Sequence, residues 1–311
     1  MPKRVMVLGL NPSWQKSLFF SKLVFHEVNR AGKVQSMPSG KGINFVRAAR
    51  IWNKISSIVL QPVGGYTGDL LCEALRAEQL PEISVPTAAP TRICSTLICE
   101  KTKTITEIIE PSGKLSEEDV NTLKDRAAQL LDESDALAVC GTFPPGITPD
   151  FYASFIRKAH EKGIPVIVDA YKEIIPSLEA GIEYFKINGE ELAALSGSPD
   201  IINGLKIMYG RYSLKALAVT SGPDSAFLIG PAGIFRYSIP RLENFINPIG
   251  AGDTCTAVMF SELLQGNSCE EAFAWGLAAA SASCETPYAA VFEKKNAEKL
   301  FLKINIEKIG S

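Results

Sequence analysis

The spacing of apolar positions along the chain switches repeatedly between two habits. Short apolar runs that close on a small or polar residue predict strands at Val5–Leu10, Ile58–Val63, Leu137–Cys140, Pro165–Asp169, Tyr184–Ile187 and Ala216–Thr220. Between them, apolar residues return every three or four positions. That spacing predicts helices over 44–53, 69–79, 150–162, 190–195 and 201–209, and another from Ser116, which stands at capping-box distance from Asp119. Later helices are expected from Asp253 to Gly266, from about Cys269 to Cys284 and near 296–304. Ala226–Ile229 and Ile234–Ser238 read as a hairpin. Strands alternating with helices predict an α/β fold, with a mostly parallel central sheet covered on both faces.

Two stretches break the alternation. Apolar patches in Ser17–Val28 are interrupted by Lys22 and His26 and read as short strands. Arg92–Glu100 and Thr104–Ile109 are rich in β-branched residues and flank Lys101-Thr102-Lys103, which predicts a hairpin wet on one face. Together these pieces predict a small separate sheet, a candidate lid. No repeat, low-complexity tract or linker divides the chain. It therefore reads as a single domain over 1–311, with lid segments at about 12–38 and 90–110.

Composition removes several function classes. Hydrophobic residues make up 46% and charged residues 21%, as in soluble globular proteins. The net charge of −2, without a long basic run, favours neither nucleic acid nor an anionic membrane as partner. No segment is apolar for long enough to span a bilayer, and the apolar run after Lys3-Arg4 is too short for a signal core. Seven dispersed cysteines without a C-x-x-C pair fit reduced thiols and a cytoplasmic setting. Only His26 and His160 are present, which argues against a zinc site or a Ser-His-Asp triad. His160 falls in a helical pattern and reads as a surface residue.

Candidate chemistry gathers at Asn247-Pro248-Ile249-Gly250-Ala251-Gly252-Asp253-Thr254. Gly250, Ala251 and Gly252 are small enough for successive backbone N–H groups to converge, and Asp253 opens a helix. A helix N-terminus behind a glycine turn attracts anions. An aspartate there repels a resting phosphate but can take a proton beside one. That pairing suits phosphoryl transfer, with N–H groups holding charge on the moving group and the carboxylate deprotonating the attacking hydroxyl. Taken alone, the stretch is equally a capped turn. The strand ends favour the chemical reading: Asn11, Gly64-Gly65, Gly141, Asp169, Asn188 and Thr220 all lie where an open α/β sheet binds ligands. Ser39-Gly40-Lys41-Gly42 is no P-loop, since Gln35 and Gly42 occupy the places of its first glycine and its Ser/Thr. Cys255 likewise rules out a dinucleotide fingerprint at Gly250-x-Gly252.

Two signatures, Ser39-Gly40-Lys41-Gly42-Ile43-Asn44 and Pro248-Ile249-Gly250-Ala251-Gly252-Asp253-Thr254, resemble those of the ribokinase-like (PfkB) carbohydrate kinases, and the likeness spans essentially the whole chain. Leu10-Asn11-Pro12-Ser13, Thr91-Arg92-Ile93, Thr106-Glu107-Ile108-Ile109-Glu110 and Gly141-Thr142-Phe143-Pro144-Pro145-Gly146 are similar to the branch of 1-phosphofructokinase and tagatose-6-phosphate kinase. The resemblance implies a three-layer ribokinase-like fold with a β-sheet lid, and often a homodimer formed through that lid. It implies transfer of phosphate from ATP, with Mg²⁺, to a hydroxyl of a phosphorylated ketohexose.

By the matched motifs, Asp253 is the base and Gly250, Ala251 and Gly252 help to form the anion hole. Lys186, Asn188, Glu191, Thr220, Ser221 and Gly222 lie on the nucleotide side, with Asn188 and Glu191 helping indirectly to place the magnesium. Asn11, Gln15, Gly40, Lys41, Asn44, Arg92 and Glu107 lie on the sugar side. Lys41 and Arg92 could hold a phosphate on the sugar. The chain departs from the pattern at Gln15, where an aspartate is usual, and also at Ser39, Ser225, Asp169-Ala170-Tyr171 and Pro287-Tyr288. These changes keep two alternatives open: a kinase of an unphosphorylated sugar or nucleoside, and a catalytically weak sugar or nucleotide sensor.

Overall fold

Consecutive residues of the first strand feed opposite sides of the molecule. Val5 and Val7 pack into one core, Met6 and Leu8 into another, as the period of two requires when both faces of a sheet are covered. The computed structural model describes residues 1–102 and 104–310. In chain order the first elements are β1 (Arg4–Leu8), β2 (Ser13–Phe20), β3 (Lys33–Ser39), α1 (Lys41–Trp52), β4 (Ser56–Val63), α2 (Gly65–Ala77) and β5 (Glu82–Pro86). β6 (Arg92–Cys99), β7 (Thr104–Ile109), α3 (Glu117–Asp132), β8 (Ala136–Cys140), α4 (Pro149–Glu161), β9 (Val166–Asp169), α5 (Ile175–Glu179) and β10 (Tyr184–Asn188) follow. Next come α6 (Gly189–Ser196), α7 (Ile201–Arg211), β11 (Ala216–Ser221), β12 (Ser225–Gly230) and β13 (Gly233–Ser238). The chain then runs through α8 (Ala251–Leu264), α9 (Cys269–Ser283), α10 (Lys294–Phe301) and β14 (Asn305–Gly310).

Ten strands form the main sheet in the order β14-β13-β12-β11-β10-β9-β8-β1-β4-β5. From β11 to β5 every pairing is parallel, while β12, β13 and β14 close the other edge antiparallel. Buried side chains of α3, α4, α5, α6 and α7 join Met6 and Leu8 on one face. Those of α1, α2, α8 and α10, with Ala278, Ala279 and Ala282 of α9, join Val5 and Val7 on the other. A separate four-stranded sheet, β3-β2-β6-β7, stands outside these layers, with β2 parallel to β6 and the other two pairings antiparallel.

The α/β architecture with a second small sheet is as the patterning predicts. Several boundaries are not. β2 starts at Ser13 instead of Ser17, and the rest of the Ser17–Val28 stretch beyond Phe20 is not strand. Phe25 and Val28 there are exposed, at 80% and 78%, so no packing partner holds that end of the stretch extended. The helices at α1 and α2 begin at Lys41 and Gly65, three and four residues early, because Gly40 at φ +121° and Gly65 at φ +63° let the backbone turn directly into them. β5, α5 and β14 were not foreseen: each is short, and β5 and β14 exist by pairing with β4 and β13, contacts remote in sequence. Lys103, in the predicted hairpin turn, lies outside the described residues. No helix among the described residues is long and apolar enough to cross a membrane.

Gly42 shows what the early glycine motif does locally. A Cβ on it would lie 2.6 Å from the Cα of Gly9 and 2.9 Å from Val59 Cγ2. Only glycine lets α1 lie this close to β1 and β4, and that approach aims the start of α1 at the strand ends. Gly42→Ala is therefore expected to push α1 outward and cost about 1–3 kcal/mol, as overpacking does. Urea denaturation checks this, and an unchanged midpoint would contradict the packing role.

Candidate active site

At the centre of the strand ends sits a buried carboxylate. Asp169 closes β9 and is 2% exposed. One of its oxygens accepts from Lys41 Nζ at 2.5 Å; the other accepts from Lys186 Nζ at 3.3 Å and from the Thr256 hydroxyl at 2.5 Å. Three elements besides its own strand thus converge on it: the first turn of α1, β10 and α8. Burial pushes the Asp169 carboxyl up, but the ammonium groups of Lys186 and Lys41 and the hydrogen bonds of Lys41 and Thr256 outweigh it, holding the group below the ordinary carboxylate range. Burial likewise disfavours the Lys41 charge, yet Asp169, Asp253 and Glu191 more than compensate, so the ammonium is held more firmly than usual.

Asp253 lies in the first turn of α8, behind Gly250 at φ +78°. It is 9% exposed, and Asn44 Nδ2 donates to its Oδ2 at 2.7 Å. Burial and the nearby Asp169 raise its pKa, while Lys41, Asn44 and Lys186 oppose them; the balance lies above the ordinary aspartate value. A carboxylate so placed is a better proton acceptor than one in water. The Ala251 N–H turns back to the Pro248 carbonyl at 3.1 Å, so it does not join its neighbours in a convergent trio. The Gly252 and Asp253 N–H groups have no acceptor among the described residues and remain open at the helix N-terminus. Lys186 Nζ lies beside them, 2.9 Å from where a Cβ on Gly252 would sit.

Two cavities meet this centre. One of about 700 Å³ is lined by Asn188, Thr220, Gly222, Ala251, Gly252 and an apolar wall including Leu242, Phe245 and Leu277. Its size and mixed lining suit a nucleotide-sized ligand. The other, about 130 Å³, is lined by Asn11, Lys41, Arg92, Thr142, Tyr171 and Glu191. Asn188 and Glu191 bridge the two by a capping box at the start of α6: Asn188 Oδ1 accepts from the Glu191 N–H, and Glu191 Oε2 accepts from the Asn188 N–H, both at 2.9 Å.

Most of the sequence-predicted residues gather here, and three do not. Gly40 caps α1 at φ +121°, and Asn11 donates to Thr142 Oγ1 at 3.0 Å while its backbone oxygen meets Arg92. Ser221, however, lines neither cavity; its hydroxyl lies toward Gly189. Gln15 is buried in the small sheet, donating to Thr96 Oγ1 at 2.9 Å, and lines neither cavity. Glu107 is exposed on β7 opposite Thr96, equally away from both. The sequence signals Asp169 only weakly and Thr256 not at all. Asp169 stood among the polar strand ends, but nothing along the chain says that two lysines share it.

The chain is a sugar kinase, an enzyme that moves a phosphoryl group to a carbohydrate hydroxyl. Residues 4–296 match the pfkB family of carbohydrate kinases, and the chain belongs to that family. It is similar to Escherichia coli phosphofructokinase-2 in complex with fructose-6-phosphate, with 25% identity and a TM-score of 0.85 over 97% of this chain and 99% of that one. The tetrameric inhibited form of the same enzyme matches at 25% identity and a TM-score of 0.84, over 97% and 99%. A Thermotoga maritima protein provisionally described as a 1-phosphofructokinase shares the fold at 23% identity and a TM-score of 0.89, over 98% and 99%. Membership of the family carries ATP use and, as a rule, Mg²⁺.

The Asp169 hub has a pH signature. A carboxyl held below its unfolded value contributes stability above about pH 4, and that contribution fades as pH falls further. Asp169→Asn, which leaves two lysines without their shared counter-charge, is expected to cost about 3 kcal/mol at neutral pH. The gap to the wild-type protein should narrow below about pH 4. Denaturation across pH 2.5–7 tests this; a gap that stays constant with pH counts against an ionised hub.

Proposed function

We propose that the protein transfers the γ-phosphoryl of ATP to a hydroxyl of a phosphorylated ketohexose, of the fructose-1-phosphate or tagatose-6-phosphate type. One observation carries the substrate class. Arg92 lines the smaller cavity beside Lys41, and its Nε is buried with no hydrogen-bond partner among the described residues. A buried guanidinium N–H without an acceptor is costly, and a phosphate oxygen is the group that would satisfy it. The likeness to phosphofructokinase-2 with bound fructose-6-phosphate supports the same class.

In this reading the nucleotide occupies the larger cavity, with Thr220 and Gly222 along its wall. Asp253 removes the proton of the attacking hydroxyl. The open N–H groups of Gly252 and Asp253, with Lys186, face the charge that builds on the phosphoryl oxygens. Gly250 and Ala251 form the turn that presents them. Among the described residues no three His, Cys, Asp or Glu side chains form a metal cluster. Mg²⁺ characteristically binds through few protein ligands together with phosphate oxygens, so a single carboxylate such as Glu191, steadied by Asn188, fits it. When bound, Mg²⁺ neutralises phosphate charge. Lys41 holds Asp169 in place and, with Arg92, fixes the sugar phosphate beside Asn11 and Thr142.

The small sheet serves as a lid over the sugar side of one ribokinase-like domain. The face that carries exposed Val34 and Ile108 is suited to a second copy of the chain. Seven free thiols fit a reducing, cytoplasmic setting. The alternative, an unphosphorylated sugar, draws on Lys41, whose charge is already engaged by Asp169, and on Gln15, which is turned to Thr96.

Asp253→Asn is expected to lower kcat by roughly 10²- to 10⁴-fold while ATP still binds, measured by coupled assay and by calorimetry with Mg-ATP. Near-normal turnover would remove the base from Asp253. Arg92→Ala is expected to raise the KM for the sugar phosphate by about tenfold or more, with the KM for ATP unchanged. An unaltered sugar KM would favour the unphosphorylated substrate.

A further inference from the structure

Arg47 is buried within α1, at 3% exposure, and belongs to neither cavity. A guanidinium has five N–H donors, and here each has an acceptor. Nε and Nη2 form a fork on Glu78, at 2.7 and 3.1 Å. Nη2 also donates to the Pro38 carbonyl at 2.8 Å. Nη1 donates to Asn44 Oδ1 at 3.0 Å and to the Ala289 carbonyl at 3.4 Å. Its contacts therefore join four regions: the end of α2, the end of β3, the loop before α10 and the side chain that holds Asp253.

The contact with Asn44 has a directional consequence. An amide has one accepting end and one donating end. Asn44 Oδ1 receives Arg47 Nη1 and, at 3.3 Å, the Ser39 hydroxyl. With its oxygen engaged by these donors, the amide must point Nδ2 at Asp253 Oδ2. Reversed, it would present an oxygen to a carboxylate and an N–H₂ to a cation. The Ala289 contact acts nearby. Ala290 is held at φ +55°, a left-handed conformation costly for alanine, and its backbone nitrogen lies 2.8 Å from where a Cβ on Gly250 would sit. Arg47 thus steadies both the acceptor face of Asp253 and the loop that packs on the Gly250 turn.

We infer that Arg47, braced by Glu78, is a positioning residue for phosphoryl transfer: it sets the Asn44 amide so that its N–H₂ group fixes the orientation of the Asp253 carboxylate. The inference rests on Asp253 being the base, but its geometry can be tested separately. The site around Asp253 also contains Lys41 of α1, Asp169 of β9, Lys186 of β10 and Cys140 of β8. None of these groups hydrogen-bonds to the Asn44 side chain.

The decisive comparison is a double-mutant cycle with Arg47→Met and Asn44→Ala. It is run with Mg-ATP and the hexose phosphate that the wild-type protein turns over fastest among fructose 1-phosphate, fructose 6-phosphate and tagatose 6-phosphate. Arg47→Met is expected to lower kcat by about 10- to 100-fold with the KM for ATP held within about twofold, and the double variant to be no slower than Asn44→Ala alone. Effects that multiply independently would overturn the inference. If Arg47→Met does not fold, Glu78→Gln serves: it keeps the fork's shape, weakens its charge and should lower kcat severalfold without changing the KM for ATP. Unchanged kcat in Glu78→Gln would equally overturn it. A second readout is independent of activity. A crystal structure of Arg47→Met, or of Glu78→Gln in its place, should show the Asn44 amide rotated or displaced from Asp253; an intact 2.7 Å contact would refute the positioning role. A wild-type protein silent on all three sugars would instead sink the proposed substrate class and leave the crystallographic test to decide Arg47.

Discussion

The geometry of the site depends on one buried ion cluster, in which the Asp169 carboxylate is shared by Lys41, Lys186 and Thr256. Burying a lone carboxylate or a lone ammonium costs several kcal/mol, so Asp169 and the lysines that meet it offset the cost of one another's burial. The cluster also joins elements that contribute separately to the site. Lys41 begins α1 and lines the smaller cavity. Lys186 ends up beside the open N–H groups of α8. Thr256 lies one turn inside that same helix. Disturbing Asp169 would therefore disturb the walls of both cavities at once, although it lines neither.

Around this cluster the chain divides positive and negative charge with some economy. Asp253 is set among Lys41, Lys186 and the Asn44 amide, yet burial and Asp169 still keep its proton affinity above that of a free aspartate. The role proposed for Asp253 needs that compromise: enough affinity to take a proton, but not so much that the group is protonated at rest. The N-terminus of α8 supplies uncommitted donors beside it. The helix itself can sit this deep because α8 and α9 meet through small residues; a Cβ on Gly276 would come within 2.6 Å of the Cys255 carbonyl oxygen. Small side chains in the helix pair thus permit the close packing that fixes where the helix begins.

The small sheet is built differently. Its β7 strand is exposed along almost its whole length, and its apolar residues Ile108 and Ile109 face solvent. Its buried face mixes polar Gln15, Ser17 and Thr96 with Cys94 and Ile98. A hydrogen-bonded pair there, Gln15 to Thr96, replaces an interaction with the cavity. This is why Gln15, read from the sequence as facing the sugar, is instead part of the wall of its own sheet.

How much was legible follows from the range of each interaction. Apart from β5 and the short α5, the parallel strands, the helices between them and the glycine turn before Asp253 are encoded locally, in spacing and in the chemistry of glycine at a helix start, and patterning reveals them. β5 and β14 are stabilised by pairing with β4 and β13, so periodicity within each segment could not reveal them. Among site residues, Asp253, Lys41, Asn188, Glu191 and Arg92 stand in recognisable local motifs. The roles of Asp169, Thr256 and Arg47 arise from partners 87, 128 or 242 positions away, such as Thr256 and Lys41 on Asp169 and the Ala289 carbonyl on Arg47. The sequence by itself determined the class of fold and the kind of chemistry, because both rest on short-range pattern. Only the tertiary structure decided which charges share a carboxylate and which predicted side chains reach the cavities, because those depend on how distant segments pack.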